Sequence, residues 1–343
     1  MGHRIAILGA SGYAGGELIR LVDGHPHLDL AYLGAHTSAG ETLGAVHPQL
    51  GGPERILGPV DAGAASGCDL AFLALPHGAS AEPAFALTRL GVKVVDLGSD
   101  HRLDSPSRYE AVYGSPHPHP EELGRWTYGL PELFADKIRT ADKVAAPGCY
   151  PTSAILALAP LLCDRLVHPH AITVHSVSGA TGAGRAATAN LTFGAVAEGI
   201  AAYGVLTHRH RPEIEQVLGA VAGVDPVVLF TPHLAPMQRG ILTTCYATVT
   251  PGTSAADVAA SLRAAYTASR FVAVTDRPPH TRWVVGSNRC LLTSYVDDRT
   301  GTAIVMAAVD NLLKGAAGQA VQCANLMLGL PEASGLPADG WLP

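Results

Sequence analysis

The sequence predicts an α/β chain in two parts: a Rossmann-type doubly wound parallel sheet, then an α+β domain with a mixed, largely antiparallel sheet. Three observations predict it. A strand, glycine turn and helix open the chain, further short apolar runs bounded by Gly and Pro follow, and beyond Cys149 the strand-like runs become longer and alternating.

In RIAILGASGYAGGELIRLV a short apolar strand turns through Gly9, Gly12 and Gly15 into helical spacing at Leu18, Ile19 and Val22. LDLAYLGA, CDLAFLALPHG and VKVVDLGSD read as further buried parallel strands, ending at His36-Thr37-Ser38, Pro76-His77-Gly78 and Gly98-Ser99. A helix is expected over 152–166, then strands at AITVHSVSG, DPVVLFTPH, GILTTCYATVT, RFVAVTD and CLLTSYVDD, with a helix at AADVAASLRAAY. A final helix over 311–328 is expected to return to the first domain, and the last dozen residues read as a loose tail. The expected division is therefore 1–147, completed by the segment from about 311 to 343, and 148–310.

The 343 residues suffice for two domains of roughly 100 to 200 residues. A hydrophobic share of 48%, a charged share of 15% and a net charge of -6 with only 23 Lys plus Arg describe an ordered globular chain and argue against nucleic-acid binding. No apolar run of about 18 residues and no secretory leader is recognised, so a soluble, cytoplasmic protein is expected. Six cysteines without CxxC spacing predict neither disulfides nor a zinc site, and the sixteen histidines, several in Pro-rich loops, predict no metal.

The turn Gly9-Ala10-Ser11-Gly12-Tyr13-Ala14-Gly15 suits a dinucleotide pyrophosphate at a helix amino end. NAD specificity usually needs a carboxylate after the second strand; Thr37 and Ser38 stand there instead and favour NADP. Cys149, in AAPGCYPTSAILALAPL, lies at a turn directly before a helix, where the dipole favours a thiolate. Beside a nicotinamide, a thiolate can displace phosphate from an acyl phosphate to give a thioester, which hydride reduces to an aldehyde. The required acid/base is expected in Thr207-His208-Arg209-His210-Arg211-Pro212-Glu213, on His208 or His210. Ser99 with Arg102 is a candidate phosphate clamp, and Arg185, closing a Gly-rich loop, a candidate for a substrate carboxylate.

With these motifs in place, the chain resembles the N-acetyl-gamma-glutamyl-phosphate reductases of arginine biosynthesis from about Arg4 to Leu328. The resemblance rests on GASGYAG (9–15), HTSAGE (36–41), LPHG (75–78), YGLPE (128–132), PGCYPT (147–152), SGATGAGR (178–185), HRHRPEI (208–214), PHLAPMQRGIL (232–242) and NLLKGAAGQAVQ (311–322). It implies reduction of N-acetyl-L-glutamyl 5-phosphate to N-acetyl-L-glutamate 5-semialdehyde by NADPH, with Cys149 as nucleophile and His208 or His210 as catalytic imidazole. Cofactor contacts are implied on the glycine turn, Thr37, Ser38, Pro76, Ser178, Gly179, Asn311, Lys314 and Gly315, and assembly as a homodimer or homotetramer through the catalytic-domain sheet. Two departures stand out: His101 in a triplet that more often reads Asp-Phe-Arg, and Cys323 where Asn is common, a change read as structural. Rival readings are an aspartate-semialdehyde dehydrogenase, against which HRHRPEI and PGCYPT speak, a carrier-linked aminoadipyl-phosphate reductase, for which no basic docking face is evident, and a non-catalytic NADP sensor.

Overall fold

A computed structural model describes residues 2–186 and 188–341. The chain forms two compact units, Met1–Pro147 with Ala316–Leu336, and Gly148–Gly315 with Pro337–Pro343.

The first unit runs β1 (His3–Leu8), α1 (Tyr13–Asp23), β2 (Leu28–Gly34), α2 (Leu43–Val46), β3 (Leu70–Leu73), α3 (Ala81–Arg89), β4 (Lys93–Asp96), α4 (Pro106–Tyr113), β5 (Thr127–Tyr128), α5 (Pro131–Arg139) and β6 (Lys143–Ala145). Its strands pair in the order β2-β1-β3-β4-β6-β5, every pairing parallel. Ile5, Ile7, Leu8, Leu70 and Phe72 are fully buried, which explains runs without polar alternation; each contributes about 2 kcal/mol of transfer free energy. The two- and three-residue strands β5 and β6 are too short to show a period in the sequence.

The second unit begins with α6 (Cys149–Cys163), followed by β7 (Val167–Ser178), α7 (Phe193–Val196), β8 (Ala201–Ala202), α8 (His210–Ala222), β9 (Val228–Leu234), β10 (Ile241–Val249), α9 (Ala255–Tyr266), β11 (Val272–Val274), β12 (Cys290–Asp297) and β13 (Thr302–Val309). The sheet order is β11-β12-β13-β10-β7-β9-β8. It is mixed: β7 with β9 and β11 with β12 run parallel, the other pairs antiparallel. Every residue of α6 from Tyr150 to Leu162 is buried, so this helix is apolar on all sides and central to its unit. A chain of buried hydroxyls, Ser153 to Thr243 (2.7 Å) to Ser176 (2.8 Å), fastens it to β10 and β7.

Two expectations need correction. The segment expected as one helix over 311–328 is a π-helical turn at Leu313–Ala317 followed by α10 (Gly318–Met327). The carboxylate of Asp310 explains the irregular start, because its Oδ1 accepts the N–H groups of Leu312 (2.8 Å) and Leu313 (3.3 Å). The described part of the tail is not loose. Trp341 N–H donates to Val285 O (2.7 Å), Asn288 N–H donates to Pro337 O (2.8 Å), and the Arg239 guanidinium lies 5.5 Å from the Trp341 ring centre. Leu342 and Pro343 lie outside the described residues. Cys323 is buried with its thiol on Gly129 O (3.3 Å), a packing position.

Candidate active site

In the first unit the glycine turn follows β1 directly. Gly9 has φ +98°, and a Cβ there would strike Ala74 O, so neither the backbone angle nor the space admits a side chain. A Cβ at Gly15 would strike Gly9 O, which brings α1 close to the turn. No side chain caps α1, whose N-cap is Gly12, and its first turn carries no acidic residue, which leaves an amino end suited to an anion. Gly9, Ser11, Gly12, Tyr13, Ala14 and Gly15 thus form one cradle. His47, which no motif marks, has its buried Nε2 2.9 Å from Ala10 O, and its ring fills the space beside Gly16. Thr37 is exposed and Ser38 half-buried in the turn after β2, and Pro76 is exposed after β3.

At the ends of β3 and β4 the same unit holds a buried polar network. Asp100 accepts Gly78 N–H (2.8 Å), Ser80 N–H (3.1 Å) and Ala81 N–H (3.2 Å), the last two at the start of α3, and His77 Nδ1 lies 2.9 Å from its Oδ1. Burial alone would raise this carboxyl's pKa; the hydrogen bonds from His77, Gly78 and Ser80 outweigh burial and hold it well below the usual carboxylate range. His101, the departure from the Asp-Phe-Arg triplet, is bound to the other buried carboxylate: Nδ1 meets Asp96 Oδ2 at 2.8 Å and the ring stacks on Trp126 with centroids 3.9 Å apart. Ser99 is buried with its hydroxyl 2.9 Å from His77 Nδ1. Arg102, the other half of the expected clamp, is buried and bonded to backbone carbonyls. Its Nε donates to Ala146 O (2.9 Å) and an Nη to Leu97 O (2.7 Å), so the guanidinium braces the ends of β4 and β6.

In the second unit Cys149 is the first residue of α6, partly exposed, after an N-cap Gly148 that offers no side-chain cap. His210 opens α8, and a Cβ at Gly148 would collide with its Nε2, so the imidazole lies directly on the turn that carries the thiol. One helical turn on, Glu213, buried, accepts Gly148 N–H at 2.9 Å. The sequence places Glu213 in the right motif without assigning it a role; its spacing of three from His210 is the signal that puts both on one helix face. From the other side Gly315 closes in: a Cβ there would fall 2.9 Å from Cys149 Cβ.

His208 sits behind His210. Its Nδ1 accepts His210 N–H at 3.2 Å, the two rings are 4.7 Å apart, and burial, aided by the Arg209 charge, pushes its pKa down to about 4. It is therefore neutral near pH 7. The hydroxyls of Tyr150 and Tyr203 meet at 2.8 Å beside it, and burial raises both phenols, Tyr203 to about 12.

The remaining expected residues all lie in the second unit. Asn311 accepts Gly240 N–H on Oδ1 (2.8 Å) and donates from Nδ2 to Thr181 (3.0 Å). Ser178 bonds Gly179 O (3.1 Å), and Gly179 lies against Gln238 and Arg239 too closely for a Cβ. Lys314 is fully buried with its ammonium 5.9 Å from the Phe271 ring centre. Arg185 is exposed. Among the described residues no group of His, Cys, Asp or Glu could hold a metal, and no helix is long and apolar enough to cross a membrane.

Comparison with known proteins adds to this geometry. Residues 4–141 match the family described as semialdehyde dehydrogenase, NAD binding domain, and residues 149–311 match semialdehyde dehydrogenase, dimerisation domain. An N-acetyl-gamma-glutamyl-phosphate reductase of Frankia casuarinae is 49% identical over 348 residues, with 100% of both chains covered. The protein of the same name from Salinispora tropica is also 49% identical, over 347 residues and 100% of both chains. Aspartate semialdehyde dehydrogenase II from Vibrio cholerae superposes with a TM-score of 0.72 at 19% identity, covering 96% of this chain and 99% of that one, a likeness of fold.

Proposed function

Because the chain belongs to the N-acetyl-gamma-glutamyl-phosphate reductase family, we propose that it reduces N-acetyl-L-glutamyl 5-phosphate to N-acetyl-L-glutamate 5-semialdehyde through a thioester on Cys149, with NADPH as donor. The observation that carries this reading is the His210 imidazole lying on Gly148, the residue before a thiol at an uncapped helix start.

The chemistry follows from the residues. Cys149 Sγ, as thiolate, attacks the acyl carbon; the carbon–oxygen bond to phosphate breaks and phosphate leaves with its electron pair. A nicotinamide dinucleotide, when bound, would supply the hydride needed to reduce the resulting thioester. His210 gives a proton to the oxygen of the thiohemiacetal and takes it back as the carbon–sulfur bond breaks, releasing aldehyde and thiolate. Glu213 fixes the Gly148–Cys149 peptide, and Gly315 leaves room for the thiol by having no side chain. His208, neutral, hydrogen-bonds the first peptide of α8 and so sets the orientation of His210.

The first unit's residues fit the dinucleotide. The cradle between Gly9 and Gly15 is closed to any Cβ at its two ends, and the open amino end of α1 supplies N–H donors for a pyrophosphate. Thr37 and Ser38 supply hydroxyls for a 2′-phosphate where a carboxylate would repel it. The 7-stranded sheet supports assembly with a second copy. On the face turned away from the buried side of β9, β10 and β12, Leu229, Tyr246 and Tyr295 are 49%, 39% and 38% exposed, a row of large apolar groups that a copy of the same face would cover. A reducing, cytoplasmic setting is part of the proposal, since the thiolate must stay unoxidised. The test is one assay of purified protein with NADP, phosphate and either N-acetylglutamate or aspartate semialdehyde. The acetylated substrate should be strongly preferred; equal rates, or preference for aspartate semialdehyde, would overturn the assignment.

A further inference from the structure

We propose that His77 is a phosphate-oxyanion donor at the carboxyl ends of β3 and β4, held in its working orientation by Asp100, Ser99 and Tyr113.

The topology places it where a ligand belongs. In the order β2-β1-β3-β4 the chain leaves β1 to one side for β2 and to the other for β3, and ligands of open α/β sheets enter the crevice beyond such a reversal. The loop after β3 lies against the glycine turn, because Ala74 O occupies the position of a Gly9 Cβ. His77 stands three residues beyond Ala74.

The ring is fixed on three sides. Nδ1 is 2.9 Å from Asp100 Oδ1 and 2.9 Å from Ser99 Oγ, and the ring stacks on Tyr113 with centroids 4.0 Å apart. Tyr113 is itself tied in by its hydroxyl, which donates to Ser99 O at 3.3 Å. The side chain is nevertheless 27% exposed while its carboxylate partner is fully buried. An imidazole needed only to satisfy Asp100 could lie inside with it. Here Nδ1 is engaged by the carboxylate, which fixes the ring and leaves Nε2, on the opposite edge of a partly exposed side chain, as its other hydrogen-bonding atom.

Phosphate is the chemistry that suits this edge. Arg102, the cation expected at the mouth of β4, spends guanidinium N–H groups on Leu97 and Ala146 carbonyls, and Ser99 is buried behind the imidazole. The other buried carboxylate of the network, Asp96, is matched by His101 at 2.8 Å. His77 is thus a member of the network that is partly exposed and keeps a ring nitrogen beyond those the network uses. The inference rests on the proposed activity for the identity of the oxyanion, which is either the phosphate group of substrate and product or the pyrophosphate of the dinucleotide.

Equilibrium binding tests it without turnover. Full-length wild type, His77→Gln and Ser99→Ala would be titrated separately with inorganic phosphate, followed by 31P line broadening, and with NADPH, followed by fluorescence, with Tm as the check on folding. His77→Gln should weaken phosphate about tenfold and leave NADPH within about twofold, and Ser99→Ala, which loosens the ring without removing it, should weaken phosphate by a smaller factor. A tenfold loss on NADPH alone would support the same donor serving the dinucleotide. Both affinities unchanged in His77→Gln would overturn the proposal. Should that variant not fold, an unchanged phosphate affinity in Ser99→Ala would do so. Because phosphate binding is read directly, a wild type that binds phosphate but oxidises no semialdehyde would refute the activity and still report on His77.

Discussion

The amino ends of α3 and α6 make an instructive pair. Each begins just after the end of a parallel strand or its turn, and each exposes backbone N–H groups that attract negative charge. At α3 the anion is internal: Asp100 reaches across from the next loop and takes the N–H groups of Ser80 and Ala81. At α6 the N-cap Gly148 has no side chain to cap with, no acidic residue stands in the first turn, the carboxylate of Glu213 takes the Gly148 N–H, and the first residue is the thiol. A helix end tied to a carboxylate of the next loop is a brace. One that starts with a thiol lends its field to that side chain.

The largest expected effect tests the end that carries the thiol. Cys149→Ser should lower semialdehyde oxidation by about a thousandfold or more, since the hydroxyl is a far weaker nucleophile at neutral pH; retention of even a tenth of wild-type kcat would mean the thiol is not the nucleophile. Next in size is the choice of imidazole. His210→Asn should cost about a hundredfold in kcat, with a much smaller loss for His208→Asn; the reverse order would give the acid/base role to His208.

The braced end is tested by stability. Asp100→Asn should lower unfolding free energy at neutral pH by about 2 to 4 kcal/mol, because N–H donors and His77 lose a buried charged acceptor. The sign of the pH effect follows from a carboxyl held below its ordinary value of roughly 3.9: its contribution is present above that pH and is lost as pH falls further. Acid unfolding curves of the variant should therefore be flatter below about pH 4. An identical acid limb would show that Asp100 is not ionised in the fold.

The smallest effect belongs to His208. With its value near 4 in the fold and roughly 6.5 unfolded, the unfolded chain binds the proton first, so stability declines as pH drops through that interval. His208→Asn keeps an acceptor for the α8 peptide and should remove part of that decline, visible as a shallower fall of Tm between about pH 6.5 and 4.

How much of this was legible in the sequence varies with the range of the interaction. The dinucleotide cradle could be read because strand, turn and helix are contiguous and each glycine is required locally. Cys149 could be read because its turn and helix are neighbours in the chain. For Arg102 the sequence shows a cation at a strand end but not the carbonyls of Leu97 and Ala146 to which its Nε and an Nη donate. Glu213 and His47 were passed over because their partners, Gly148 and Ala10, are distant in sequence.

By itself, then, the sequence determined the two-part α/β architecture, the glycine turn and the identity of the candidate nucleophile, all products of local periodicity and of backbone angles that few residues tolerate. Only the tertiary structure decided that His210 rather than His208 lies on Gly148, that Asp100 takes the N–H groups of one helix start while Glu213 takes that of Gly148 before the other, and that Asp310 bends the segment expected as a helix. The reason is physical: a hydrogen bond between segments far apart in the chain depends on where both ends are carried by packing, and no spacing along one of them encodes that distance.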